Sequence, residues 1–322
     1  MMTRREMLQA TGAGASLIAA GIGAARGAAP TVRTPVAFDV PRGACDCHVH
    51  IFDPAGFSYA PERVYTPPPA LVDDLRELQT ALRLERVVIV TPSVYGSDNA
   101  CTLDAIKRLG ARARGVAVIG EKTSAADLDR LAASGFAGVR LNFATSGESD
   151  PVEIKRQLGA LAGRLRGRDW HVQLNTTLPV ISALADDFAA LPFAVVFDHF
   201  ARAKAALGVG QHGFDALLGL VKSGKAYVKI SAPYRTSDKA PDFPDATPLA
   251  RAIVAANPDR VVWGSNWPHP GRGRTATDIA PPYQNDDGMV LNQLPKWVPD
   301  AAIRKKILVD NPARLYGFET TT

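Results

Sequence analysis

The sequence predicts a single-domain α/β fold, a (β/α)8 (TIM) barrel, on three observations. Eight short apolar runs alternate with segments of helical period from residue 44 onward. These units fill about 270 residues, the size expected of one such barrel. Polar and titratable residues collect at the carboxyl ends of the strand candidates, where barrels place their active sites. An open doubly wound sheet would need a glycine-rich phosphate turn after the first strand, and none follows His50.

The strand candidates are 44–49, 86–92, 114–119, 137–143, 170–175, 193–198, 226–231 and 260–264. They are short and mostly apolar, as strands covered on both faces are. Between them, helices are predicted at 70–83, 99–109, 124–134, 151–166, 178–190, 212–222 and 246–256, with a last one near 300–310. Thr123-Ser124 supplies a start signal before Ala125, and Asn257-Pro258 a stop after Ala256. The connections 53–69 and 267–287 are long and hold several prolines. Following strands one and eight, they would meet beside the same opening.

Residues 1–28 read as a separate unit. Arg4-Arg5 leads into an Ala/Gly-rich apolar stretch, Ala10 to Ala25, and then into small residues at Gly27 to Ala29. The pattern resembles a twin-arginine signal peptide, so a periplasmic location is expected. The stretch is too short and too rich in glycine for a stable membrane span. Residues 29–43 read as an extended linker and 44–322 as the barrel. Without the signal the chain carries 34 basic and 31 acidic groups, a charge of +3 with no basic tract, so nucleic acid is not an expected partner. Nothing in the sequence sets the number of subunits. Cys45, Cys47 and Cys101 read as free, buried hydrophobes, the first two facing helices on the side of the strand opposite the histidines.

In an extended first strand, Asp46, His48 and His50 share one face. Three titratable groups there indicate a site, and a hydrogen-bonded structural pair is the plainer alternative for the histidines. The other strand ends repeat the theme. Arg140 and Asn142 end the fourth, Gln173 and Asn175 the fifth, and His199 follows the sixth. Arg235 lies beyond the seventh and Asn266 beyond the eighth. Arginine holds carboxylates bidentately, and imidazole can donate to a developing oxyanion. Such a set suits an anionic substrate with a carbonyl to polarise.

His48-x-His50, Asp198-His199, Trp263-Gly264-Ser265-Asn266-Trp267-Pro268 and Asn311-Pro312-Ala313-Arg314-Leu315-Tyr316 stand in that order along the chain. Together they resemble the amidohydrolase superfamily (amidohydrolase-related family 2), in the branch of 2-pyrone-4,6-dicarboxylate lactonase and D-galactarolactone isomerase. The resemblance spans residues 43–318 and implies a barrel enzyme acting on the ester carbonyl of a small anionic lactone. It implies that His48, His50 and His199 polarise that carbonyl and that Arg140 and Arg235 bind substrate carboxylate. Tyr65 matches a substrate contact, and Ser93, Asn99, Asn142 and Asn175 are expected in the pocket.

Two departures from the family pattern bear on chemistry. Hydrolases of the superfamily carry a general-base aspartate on strand eight, where this chain has Asn266. An amide cannot take a proton from water at neutral pH, and losing a positioned base costs about 10²–10⁴-fold. In isomerisation a hydroxyl of the substrate itself replaces water, and its proximity can offset a weak base, with effective molarities of about 10⁵ M or more. The second departure is Ala144-Thr145-Ser146-Gly147, which lacks the further arginine of the pyrone-dicarboxylate lactonase pattern. A planar pyrone dicarboxylate is accordingly less expected.

The family's metal sites add ligands that Arg140, Asn142 and Asn266 do not supply, and His171 starts strand five at its far end. Metal-free chemistry is the expectation; a zinc ion, if present, would fall to His48, His50 and His199. The leading reading is lactone isomerisation. Lactone hydrolysis is the alternative, and an exported, non-catalytic binding protein the third.

Overall fold

The protein, as a computed structural model, is described over residues 29–319. The predicted signal peptide lies outside the described residues. All eight predicted strands form: β1 (Cys45–Val49), β2 (Arg86–Val90), β3 (Ala113–Ala117), β4 (Phe136–Leu141), β5 (His171–Leu174), β6 (Val195–Phe197), β7 (Ala226–Ser231) and β8 (Val261–Gly264). They pair in parallel and in chain order. The ring closes where the chain leaving β8 meets β1. Val49 bridges Trp267, Asn266 N–H donates to His48 O at 2.9 Å, and His50 N–H donates to Trp267 O at 2.9 Å. The architecture is a (β/α)8 barrel.

Alternation along each strand sorts the core into two regions. Val87, Ile89, Val172, Leu174, Val228, Ile230 and Trp263 face outward onto helical residues such as Leu75, Leu78 and Leu82. Val88, Val90, Val116, Val196 and Val262 face inward, above Ala313 and Tyr316 of the helix Asn311–Tyr316. Cys45 and Cys47 join this inner group, which corrects the expectation that they face the helices. The cause is an irregularity in β1. Asp46 pairs with Val87 and Val49 with Ile89, so three steps on β1 match two on β2. One extra residue shifts the phase, and both Cys47 and His48 can then reach the interior. All three cysteines are buried and free.

Two predicted helices differ in detail. The segment 178–190 is two helices, Leu178–Ala183 and Ala185–Ala190, with Leu184 between them off helical geometry (φ −115°, ψ 19°). The last helix starts at Ala301 and widens into a π turn over Lys306–Asp310 before resuming at Asn311. Pro312 has no N–H for the ladder, and the wider turn sits where that bond is missing.

Residues 29–43 form no strand or helix and pack against the segment that follows the long β8 connection. Thr34 Oγ1 donates to Asp286 at 2.7 Å, and Ala37 N–H to Asn292 Oδ1 at 2.8 Å. The approach is close enough that a Cβ on Gly288 would lie 1.8 Å from Thr34 O. The two long connections do meet: Thr66 bridges Ile279, and its hydroxyl donates to Ala276 O at 2.7 Å.

Candidate active site

Strand ends β1, β4, β5 and β6, with the turns after β6, β7 and β8, surround one cavity of about 270 Å³. Its lining holds His50, Tyr65, Arg140, Asn142, Asn175, His199, Arg235 and Asn266 from the sequence-based set. His48 lies one layer deeper and is fully buried. Ser93 and Asn99 do not line the cavity. Ser93 stands against the Tyr65 phenol, and Asn99 ties two loops together through Thr91 Oγ1 (2.8 Å), Val118 N–H (3.0 Å) and Val118 O (2.8 Å). Their place after strand two put them near the opening; local hydrogen bonding turned Asn99 elsewhere.

Three groups went unread in the sequence, and a fourth, Asp198, stood there only as part of the Asp198-His199 motif, without a role. Arg202 and Arg272 add two more arginines to the lining. Asp198 and Lys229, both fully buried, form the charged floor beneath it. Lys229 had a signal, since alternation in Ala226-Tyr227-Val228-Lys229-Ile230-Ser231 sets it on the face of Tyr227 and Ser231. Arg272 had none, because a long loop has no period from which to read direction.

Asp198 is the hub of the floor. Its Oδ2 accepts from Arg140 Nε and Gln173 Nε2, each at 3.1 Å. Its Oδ1 lies 3.2 Å from His48 Nδ1 and 3.7 Å from Lys229 Nζ. Burial alone would raise this carboxyl, but His48, Arg140 and Lys229 around it hold it well below the usual range. Lys229 donates to Gln173 Oε1 at 2.6 Å and Cys47 O at 2.8 Å, and burial pulls its ammonium down to about 8.

Burial also lowers the three histidines, His48 to about 3 and His50 and His199 well below their ordinary value, so all three are neutral at pH 7. Their partners sort their roles. His50 Nδ1 lies 2.7 Å from Val90 O, which can only accept, so the His50 proton sits on Nδ1 and Nε2 is bare. His48 Nε2 is 3.3 Å from that bare nitrogen. His199 Nδ1 lies 2.8 Å from Ser231 Oγ, whose hydroxyl can donate and leave the His199 proton on Nε2. The expectation that all three polarise a carbonyl narrows accordingly: a neutral His50 accepts at Nε2, and His199 can donate.

His199 enters the cavity on an unusual turn. His199, Phe200, Ala201 and Arg202 all have positive φ, between 51° and 61°. A left-handed run without glycine costs roughly 1–2 kcal/mol per residue. It is held by Phe200 packed edge-on to Trp297 at 5.6 Å and by Ala201 N–H donating to Asp198 O at 2.9 Å. Strain of this kind gathers at functional sites. Here it aims both His199 and Arg202 at the cavity.

Among the described residues, the group that brings one metal-type ligand atom each within 4.8 Å of one another is His48, Asp198 and His199. Asp198 thus takes the place expected of His50. His171 begins β5, its ring edge-on to that of Tyr316 at 5.1 Å, at the far end from the cavity.

A (β/α)8 barrel with a histidine pair at β1, a histidine after β6 and an arginine-lined mouth defines the class of protein: a barrel enzyme with its site at the carboxyl ends of the strands. The family assignment is then direct. The amidohydrolase model matches residues 45–318, and the chain belongs to that family. It is 36% identical over 287 residues to the 4-sulfomuconolactone hydrolase of Rhizobium radiobacter, covering 88% of this chain and 93% of that one. It is 31% identical over 285 residues to the D-galactarolactone isomerase of Agrobacterium fabrum, covering 86% and 91%. A crystal structure of a candidate 2-pyrone-4,6-dicarboxylic acid hydrolase from Pseudomonas putida superposes with TM-score 0.71 at 30% identity, covering 88% of this chain and all of that one.

Proposed function

We propose that this protein isomerises a small anionic lactone by internal hydroxyl attack, without a metal. The carrying observation is the cavity lining: four arginines, two histidines and Asn266, with no carboxylate. Arginines bind the substrate's anionic group. With no lining carboxylate the general base is an imidazole, and Asn266, which cannot take a proton, orients a substrate hydroxyl where a superfamily hydrolase would activate water. Asn266 Nδ2 is engaged by Tyr234 OH at 2.6 Å, which leaves the carbonyl end of the amide for a substrate hydroxyl.

The steps take the His199 proton on Nε2, the tautomer left when Ser231 Oγ donates to Nδ1. His199 Nε2–H donates to the lactone carbonyl oxygen as negative charge develops there. A substrate hydroxyl held by Asn266 attacks the carbonyl carbon and loses its proton to His50 Nε2. The tetrahedral intermediate then breaks the original ring C–O bond, and His50 returns the proton to the departing oxygen. No water is consumed and the product is a second lactone.

The charge of the site supports the metal-free form. The one carboxylate in the ligand-type group, Asp198, is already shared by Arg140 and Lys229. A divalent cation would stand against both with one carboxylate to offset it. The hydrolase reading is supported by the chain's similarity to a hydrolase of 4-sulfomuconolactone. For location, the Arg4-Arg5 pattern supports export to the periplasm.

The test is NMR of a panel of aldarolactones with enzyme, with and without EDTA. Exchange between ring sizes without free acid, unchanged by chelator, is expected. Open diacid as the sole product would overturn isomerisation, and loss of turnover in EDTA restored by zinc would overturn the metal-free form.

A further inference from the structure

Behind Asn266 a chain of polar side chains runs away from the cavity. Asn266 Nδ2 donates to Tyr234 OH at 2.6 Å, Tyr234 OH lies 3.3 Å from His269 Nδ1, and His269 Nε2 lies 3.0 Å from Asp287 Oδ2. His269 and Asp287 are buried. Asn285 flanks them, its Nδ2 3.2 Å from Asp287 Oδ1 and 3.3 Å from His269 Nε2. None of these four lines the cavity.

The direction of every bond in this chain follows from its far end. A carboxylate only accepts, so Asp287 requires a proton on His269 Nε2. When that is the ring's one proton, Nδ1 is bare and can only accept, and Tyr234 O–H donates to it. Burial pushes the Tyr234 phenol up to about 12, so it keeps a proton to donate. With its hydrogen committed, the Tyr234 oxygen can only accept from Asn266. That selects one of the two orientations of the amide: nitrogen toward Tyr234, oxygen toward the cavity. With the amide flipped, its oxygen would meet an oxygen whose proton points elsewhere.

We propose that Asp287, His269 and Tyr234 form a positioning relay that fixes the amide of Asn266 with its oxygen facing the substrate. The inference deepens the lactone reading, on which only its kinetic arm rests. The relay members touch no substrate; they act through Asn266.

The experiment uses the full protein and an isosteric change, Asp287→Asn. Its new amide can donate to His269 Nε2, which moves the His269 proton to Nδ1 and reverses the relay. Nitrogen-15 histidine NMR should report the Nε2–H tautomer in wild type and Nδ1–H in the variant. The Asn266 side-chain NH2 pair, assigned with Asn266→Asp, should shift although Asp287 does not touch it. Unchanged His269 and Asn266 signals would overturn the proposal.

With an aldarolactone as probe, kcat should fall about tenfold or more in both Asp287→Asn and Tyr234→Phe, with KM within about threefold. In the Asn266→Asp background, where two equal oxygens leave no amide to orient, the same changes should cost less than about threefold. Equal losses in both backgrounds would mean a structural role and overturn the relay. If no aldarolactone turns over while the NMR signature holds, the lactone reading fails and the relay stands.

Discussion

Arg272 Nη2 donates to the Thr145 carbonyl at 3.1 Å, tying the connection after β8 to the turn after β4. The β4 turn carries no arginine of its own, yet a guanidinium stands beside it. Arg272 thereby supplies a guanidinium at the turn whose own residues, Ala144-Thr145-Ser146-Gly147, made a planar pyrone dicarboxylate less expected. Of the four lining arginines, Arg140 is paired with Asp198 at 3.1 Å. Arg202, Arg235 and Arg272 have no acidic partner among the ion pairs of the described residues, and Arg235 Nε is buried without a hydrogen bond.

Two classes of arginine should behave differently on substitution. Arg272→Gln removes a charge with no acidic partner, and KM for an anionic lactone should rise about 10–100-fold, while loss of the bond to Thr145 O should cost no more than about 1.5 kcal/mol. Arg140→Gln also strips a buried carboxylate of a partner and should destabilise by about 3 kcal/mol or more. Steady-state kinetics with urea unfolding checks both. A stable Arg140→Gln protein would remove Asp198 from its role as hub.

Lys229 gives the fold a signed pH dependence. Its pKa is lowered from 10.5 to about 8 by burial, so between those values the unfolded chain binds a proton that the folded protein does not. Unfolding takes up that proton, and stability from this group rises with pH from about 8 to 10.5. Below pH 8 the charged ammonium costs roughly 3 kcal/mol. His48, lowered from 6.5 to about 3, acts likewise at acid pH: stability falls as pH drops from 6.5 toward 3. Urea midpoints across pH 7–10 should climb more steeply in wild type than in Lys229→Met. Parallel curves would show that Lys229 does not titrate in this window.

How far the sequence could be read depended on periodicity. The eight strands were legible because each is a short element of fixed repeat, and Arg140, Asn142 and Asn175 because they lie at or next to strand ends. Cys45 and Cys47 were misplaced because one extra residue in β1 shifts its phase, and no composition signal marks it. Arg202 was hidden by a left-handed turn built without glycine. Asp287 was hidden by distance, since a loop of some twenty residues separates it from His269, its hydrogen-bond partner. Contacts made across loops are settled by tertiary packing, which local pattern does not encode.

Gly288 supports the N-terminal segment by having no side chain. A methyl there would lie 1.8 Å from Thr34 O, a backbone atom that cannot swing aside. Gly288→Ala should lift residues 29–38 off the barrel, breaking the bonds from Thr34 to Asp286 and from Ala37 to Asn292. The expected loss is about 2 kcal/mol, or roughly 3 °C in Tm. Limited proteolysis should then cut near Thr34 in the variant and spare the wild type. Equal protection in both would mean that the segment contributes nothing to stability.

Asn266→Asp tests where the chemistry is decided. Asn266 is buried, lines the cavity and sits at a positive φ of 67°, a region that Asn and Asp both tolerate, so the backbone should survive the change. The new carboxylate would face Arg235 and the other lining arginines, which favour its charged form. It could then take a proton from water, which the amide cannot. A positioned general base contributes about 10²–10⁴-fold, so hydrolysis of an aldarolactone should appear or rise by at least about tenfold. Isomerisation should fall in parallel, because water now competes with the substrate's own hydroxyl for the same carbonyl. Product ratios read by NMR decide the point: a ratio unchanged from wild type would place the choice between water and hydroxyl at another residue, with His50 the next to examine.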